Sequence, residues 1–306
     1  MGLLRLSVLG APEVFHDGSR LIFPLRKAQA LLLYLAVEGG MHQRRQLDAF
    51  LWPDSEPHEA RAALRNAIAL LRHLLADPTA SPFLSQHTHL LSPHDLLGLD
   101  PDAPLELDLD VVQQAWREAQ KLSLDSSEEQ RASLVATLQH ALSLVHGPFL
   151  DGFWLREEAP FDEWHEQQQQ QWQVRLQVLF DRLSCCQEET CEQEQACVTL
   201  QRWLALDPLA EEAYRRLMRV HLALGDPTAA LQVYATCRVQ LDEALQIKPA
   251  PETSALAQRI RVIQAHGSSS AHSTTAESRS PPELVAPLTG RSAAFRQLVR
   301  TFQQAR

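Results

Sequence analysis

A self-match at a spacing of 34 residues restricts the possible folds of this chain more than any other feature. Ala196 pairs with Ala230, Leu200 with Tyr234 and Trp203 with Cys237, and Pro208, Tyr214, Leu217 and Leu224-Gly225-Asp226 lie between them. Small residues where helices cross, a proline between hairpins and this period describe a repeated two-helix unit. A single helical hairpin cannot bury its apolar face, so neighbours must stack and leave a concave surface. Helical periodicity extends well beyond the match, at roughly 110–122, 128–146, 158–186, 190–206, 210–224, 227–244 and 252–265.

The first third is built differently. Residues 4–23 alternate apolar and polar about Asp17-Gly18, a strong hairpin signal. From Arg26 the pattern turns helical, with Ala28, Leu31, Leu32, Leu35 and Ala36 on one stripe and Gly39-Gly40 at its end. A short second helix over 46–52 stops at Pro53. A third runs from about His58 to Ala76, and residues 82–98 read as strand, turn and strand. Sheet, three helices and hairpin are the parts of a winged helix-turn-helix. The expected chain is therefore mainly α: an α+β winged helix-turn-helix over 1–105, then an all-α, tetratricopeptide-like helical repeat domain over 106–265. Residues 266–284 are rich in Ser, Thr and Pro and read as a flexible linker. Residues 285–306 read as the truncated start of a further domain, since so few residues cannot fold alone.

Charge has to be divided before it means anything. The whole chain holds 28 Lys+Arg and 38 Asp+Glu, a net −10 at pH 7. Residues 1–100 are close to neutral (nine basic, ten acidic), residues 101–266 carry 14 basic against 26 acidic, and the remainder is basic. The acidity lies in the helical repeats, so the first third stays compatible with DNA. The longest apolar run, residues 30–37, is far short of the ~20 residues that a membrane span needs. The absence of a secretory leader and the five unpatterned cysteines point to the cytoplasm.

The third helix is the segment richest in chemistry. Ala60, Ala63, Leu64, Ala67, Ile68, Leu71, Leu74 and Leu75 form its apolar stripe, and Arg61, Arg65, Ala69 and Arg72 lie opposite with Ala62 and Asn66 alongside. A helix entering a DNA groove needs long donors for phosphates and guanine edges, Asn for adenine, and small residues that permit close approach. Arg26-Lys27 and Arg44-Arg45 open the first and second helices, where side chains and helix N-termini can both meet phosphate. His87 and His89 fall where the tip of the wing belongs. Arg61, Arg65, Asn66, Arg72, Arg44, Arg45, Arg26, Lys27, His87 and His89 are therefore the candidate DNA contacts.

Catalytic and cofactor motifs are missing from the sequence. His165-Glu166 and His58-Glu59 lack the second histidine of HExxH, there is no GxSxG, and no CxxC or zinc-knuckle spacing occurs. None of Lys27, Lys121 and Lys248 follows a glycine, so no phosphate-binding P-loop is present. The expectation is a protein that is not an enzyme and carries no metal or cofactor.

Residues 4–75 resemble the DNA-binding domain of the Streptomyces antibiotic regulatory protein family. The resemblance rests on LRLSVLGAPEVFHDG, RKAQALLLYLAVEGG, LDAFLWPD and EARAALRNAIALLRHLL. Residues 107–265 are similar to the bacterial transcriptional activator domain that follows it in that family, through HGPFLDGFWLREEAPFDEWHEQ, LDPLAEEAYRRLM and LALGDPTAALQVY. The resemblance implies a homodimer on direct repeats in double-stranded promoter DNA. It makes residues 61–72 the recognition helix and residues 53–57 the loop that faces RNA polymerase. It also implies that the sequence Leu288-Thr289-Gly290-Arg291 leads into an ATPase. Residues 82–106 depart from the family's compact wing by their length and their Leu, Pro and Asp content.

Two functional readings follow. One is a sequence-specific DNA-binding transcriptional regulator, an activator by the family pattern. The other is a helical-repeat adaptor that binds a protein partner and whose first domain does not bind DNA, which the near-neutral first third favours.

Overall fold

The computed structural model describes residues 2–76, 89–121, 127–156 and 158–272. Met1–Arg261 form one compact unit, and a second begins at Val262. The chain opens with strands β1 (Leu4–Ser7), β2 (Glu13–His16) and β3 (Ser19–Arg20), a meander turned at Asp17 and Gly18, both with positive φ. Alternation in β1 buries Leu4 and Leu6 and leaves Arg5 at the surface. A strand with no sequence signal, β7 (Leu105–Leu107), pairs parallel to β1 and completes the order β3-β2-β1-β7. Arg5 faces Glu106 across that pairing at 2.7 Å. The sequence boundary between residues 105 and 106 thus falls inside a strand of the first sheet.

Three helices follow the meander: α1 (Arg26–Glu38), α2 (Arg44–Leu51) and α3 (Pro57–Leu74). α1 buries its expected stripe and Ala30 and Leu33 besides. A helix that is apolar nearly all round belongs between layers. It ends at Gly39 and Gly40, both with positive φ, and the chain enters β4 (Met41–Gln43). β4 lies beside β6 (Leu96–Leu99), which also pairs with β5 (Leu90–Leu91). Gly98 makes this approach possible, since a Cβ there would lie 2.3 Å from the Gly40 carbonyl oxygen. This small sheet is the wing; of the expected strands over 82–98, residues 82–88 lie outside the described residues. A three-residue strand reading Met-His-Gln carries no alternation, and its extended form comes from its β6 partner.

The rest of the first unit is helical: α4 (Asp108–Lys121), α5 (Glu128–Ser143), α6 (Ala159–Glu189), α7 (Gln193–Leu206), α8 (Glu211–Ala223), α9 (Pro227–Leu245) and the start of α10 (Pro251–His272). These agree with the periodicity to within a few residues. α6 has 31 residues and so a length of about 46 Å, and it forms the spine against which α4, α5 and α7 pack. The members of the 34-residue match turn inward, with Ala196, Ala230, Leu200, Trp203 and Cys237 buried and Tyr234 half-buried. α10 continues through His272, beyond the expected start of the linker at residue 266. The fold is thus a winged helix-turn-helix followed by a helical repeat domain.

The two parts share one hydrophobic core, which runs without interruption from Leu4 to Val220. Three sets of contacts close it. The buried Asp108 carboxylate at the start of α4 accepts from the backbone N–H groups of Val8 (2.7 Å) and Leu9 (2.9 Å), just past the end of β1. Burial pushes the Asp108 carboxyl above its ordinary range, and the N–H groups of Leu9, Val8 and Leu109 pull it back. The segment before α6 then lies along the same stretch: His146 N–H reaches the Leu9 carbonyl, Leu150 N–H that of Val8, and Asp151 N–H that of Gly10, at 2.8–2.9 Å. Finally, Trp164 of α6 sits among Tyr34, Phe50, Phe149 and Phe161 with ring centroids 5.3–6.0 Å away, and its indole N–H donates to Glu38 at 2.6 Å.

Asp108→Ala would leave two backbone N–H groups unpaired. At about 1–3 kcal/mol for each orphaned buried donor, urea denaturation should show a loss of about 2–6 kcal/mol with an unchanged m-value. Asp108→Asn keeps a carbonyl acceptor and should lose less. An alanine variant as stable as the wild type would remove this contact from the account.

Candidate nucleic-acid interface

Pro57 at the first turn of α3 fixes the φ with which the helix starts. The stripe Ala60, Leu64, Ala67, Ile68 and Leu71 is buried, with Leu75 just beyond the helix end, while Ala63 and Leu74 are half-buried. This orientation leaves Arg61, Arg65, Asn66, Ala69 and Arg72 exposed on the far side. His58 and His73 are exposed too and extend the same surface at both ends; their spacing from Arg61 and Arg72 is the signal that would have found them. Arg61 folds back along the helix and donates its Nε–H to the Pro57 carbonyl at 2.7 Å.

Asp48 of α2 is the functional neighbour that the sequence did not bring forward. Burial raises its carboxyl above the usual range, and the nearby charges of Arg61, Arg44 and Arg65 oppose that rise. A half-buried acid on α2 therefore sees both leading arginines of α3 and biases where their guanidinium groups rest. Arg45 is exposed at the start of α2. Its neighbour Arg44 is half-buried and bonds to Ser92 of the wing, while its backbone N–H donates to the Asp95 carbonyl at 2.8 Å. Arg44 thus braces the wing against α2.

Of three further sequence candidates, Lys27 and His89 have structural work, and Arg26 stays exposed while resting on two rings. Lys27 is ion-paired with Glu158, whose side chain is only 8% exposed, and it lies over the Trp52 ring. Arg26 places its guanidinium 5.1 and 4.9 Å from the ring centroids of Phe153 and Trp154. His89 is 2% exposed and meets His16 edge-on at 5.4 Å. Burial and the His16 charge hold the His89 imidazole below its ordinary pKa, so it is a neutral interior group and no phosphate contact. Lys27 and His89 are engaged by other parts of the same unit, whereas Arg26 stays exposed beside its rings. His87 lies outside the described residues.

The charge pattern separates α3 from the helical repeats. In the repeats, Arg216 is 16% exposed and pairs with Asp181 and Glu188, and Arg215 pairs with Glu211 and Glu212. None of the ion pairs found among the described residues engages Arg61, Arg65 or Arg72. Exposed guanidinium groups that none of the ion pairs among the described residues engages are suited to an anionic partner. Among the described residues no helix is long and apolar enough to cross a membrane.

Comparison with known proteins agrees with this architecture. Residues 107–261 match the family described as bacterial transcriptional activator domain. The chain is 30% identical over 306 residues to the regulatory protein AfsR of Streptomyces coelicolor, covering 97% of this chain and 29% of that protein. It is 28% identical over 264 residues to the regulatory protein AfsR of Streptomyces griseus, covering 84% of this chain and 24% of the relative. The chain therefore spans less than a third of the length of these curated relatives. Among solved structures it is similar in fold to Mycobacterium tuberculosis EmbR in complex with a low-affinity phosphopeptide, at a TM-score of 0.63 and 19% identity over 90% of this chain and 71% of that one.

The division between bracing and exposed cations has a direct consequence for stability. Lys27→Ala strands the buried Glu158 carboxylate and should cost about 3–5 kcal/mol. Arg65→Ala, at an exposed position, should stay within about 0.5 kcal/mol of the wild type. Thermal or urea unfolding of the two variants checks both, and equal effects would contradict the division.

Proposed function

The chain belongs to the bacterial transcriptional activator domain family, in the form found in Streptomyces antibiotic regulatory proteins, and on that premise we propose that it activates transcription by binding promoter DNA through α3. The observation that carries this reading is the exposed stripe of Arg61, Arg65 and Arg72, engaged by none of the ion pairs found among the described residues, on the third helix of a winged helix-turn-helix. The N-terminal residues of such a helix read base edges in the major groove, which gives base contacts to Arg61, Arg65 and Asn66. Arg72, toward the far end of α3, and the exposed Arg45 at the start of α2 bind phosphates and set the register.

The remaining assignments extend the same reading. The first sheet, α1–α3 and the wing bind DNA, and the helical repeats serve self-association or signal reception. The protein acts in the cytoplasm as a homodimer on direct repeats, with residues 53–57 turned toward RNA polymerase. It works by binding and not by catalysis. The near-neutral charge of the first third favours one competitor, a helical-repeat adaptor that has lost DNA binding.

Gel-shift titration on the region upstream of the gene separates the two. Arg61→Ala and Arg65→Ala should each weaken binding by about 1–3 kcal/mol and relax the base preference at one position. Arg45→Ala should weaken all duplexes alike and lower the salt slope by about one. Unchanged binding by the Arg61/Arg65 double variant would overturn the site, and a salt-insensitive wild type that ignores every duplex would favour the adaptor.

A further inference from the structure

Asp48 is the one carboxylate of α2, and α3 itself carries only Glu59, in its first turn. The two helices pack directly on each other. Asp48 is half-buried and feels the charges of Arg61 and Arg65 on α3 and of Arg44 one turn earlier on α2. No ion pair among the described residues joins Asp48 to any of the three.

Two complementary groups on α2 are left unmatched. Asp48 Oδ1 and Arg44 Nε are both closed off from solvent and both without a hydrogen-bond partner. They belong to residues four apart on one helix, where side chains are neighbours. Buried polar groups in native interiors are nearly always paired, so an acceptor and a donor left open on one face mark a network that is incomplete in the free chain. The arginines rest elsewhere. Arg44 bonds to Ser92 and, through its backbone N–H, to the Asp95 carbonyl of the wing, and Arg61 lies back on the Pro57 carbonyl at 2.7 Å. A half-buried carboxylate that no group meets costs desolvation and contributes little to the fold. It is, however, a suitable anchor for arginines that turn toward a groove. A guanidinium carries five donors in a fixed fork, so one edge can hold a carboxylate while another meets a base or a phosphate.

We infer that Asp48 is a positioning residue of the DNA-binding surface: it takes up Arg61 and Arg65 as they leave their resting places, fixes the direction in which they meet base edges, and ties them through Arg44 to the wing. Asp48 itself touches no base. Its negative charge also weakens the attraction of these arginines for phosphate alone, so a duplex without matching base edges gains little. Specificity is a difference of affinities, and Asp48 widens that difference from both sides. The role in base discrimination rests on the reading of α3; the pull of the carboxylate on the arginines does not, since it acts in the free chain.

The test uses the full chain and two duplexes, one carrying the upstream region of the gene and one with that sequence scrambled. Asp48→Asn, which keeps the shape and removes the charge, should narrow the preference for the upstream duplex by about tenfold and leave binding to the scrambled duplex unchanged or tighter. Asp48→Glu restores the charge and should recover part of the preference. In an Arg61→Ala/Arg65→Ala background Asp48→Asn should have no further effect, because its partners are gone. Without DNA, the Nε–H resonances of Arg44, Arg61 and Arg65 should move in Asp48→Asn while those of Arg215 and Arg216 stay in place. Equal weakening on both duplexes, or an undiminished effect in the double-alanine background, would reduce Asp48 to a structural part and overturn the proposal. Unmoved resonances of Arg61 and Arg65 would overturn the positioning whatever the duplexes show. A wild type that prefers neither duplex would overturn the reading of α3 and, with it, the role of Asp48 in discrimination.

Discussion

The docking of α6 and its preceding segment onto α1 and β1 is the constraint on which the rest of the structure depends. Trp164 concentrates it, because one side chain touches α1 through Tyr34 and Glu38, α2 through Phe50, and its own segment through Phe149 and Phe161. Edge-on and tilted aromatic pairs add about 0.5–1.5 kcal/mol each beyond burial, and the buried Lys27–Glu158 pair and Asp108 N–H contacts lie on the same seam. A ring cluster with fixed angles and a charge that tolerates no mispairing leave little room for sliding. The helix-turn-helix is therefore a face of the Met1–Arg261 unit, and α3 is held by α1 and α2, of which α2 packs on α6.

This arrangement explains why a chain with net charge −10 can present a cationic surface. The carboxylates in excess belong to the repeats, where they neutralise Arg215 and Arg216 between helices. Cations at the seam, Arg26 and Lys27, are taken up by aromatic rings and by Glu158. What remains exposed on α3 is a local field, effective within about a Debye length of ~8–10 Å. Such a surface acts by contact more than by long-range steering, which suits a reader of specific sites.

The helices were legible because each is long enough for its 3.6-residue period to show, from α1 to α10, and the hairpin at Asp17-Gly18 because its turn chemistry is local. The inward position of Ala196 and Ala230 was legible from the repeat match for the same reason. β4 and β7 were illegible because three-residue strands carry no periodicity and exist only through partners far along the chain. The site divides in the same way. Arg61, Arg65, Asn66 and Arg72 follow from which face of α3 is apolar, a property of one helix. The roles of Lys27, Arg26, Arg44 and His89 are set by Glu158, Trp154, Ser92 and His16, and no local pattern announces a contact made across scores of residues. Asp48 escaped notice because an acid among basic candidates reads as surface until its packing against α3 is seen.

The central claim is that the arginines of α3 are the ones that meet an anionic duplex. It is tested most directly by following the arginine Nε–H resonances of the full chain while a duplex carrying the upstream region of the gene is added. The account predicts that Arg61, Arg65 and Arg72 shift and saturate together while Arg215 and Arg216, held in their carboxylate pairs, stay in place. Movement of the repeat-domain arginines with the α3 signals unchanged would contradict it.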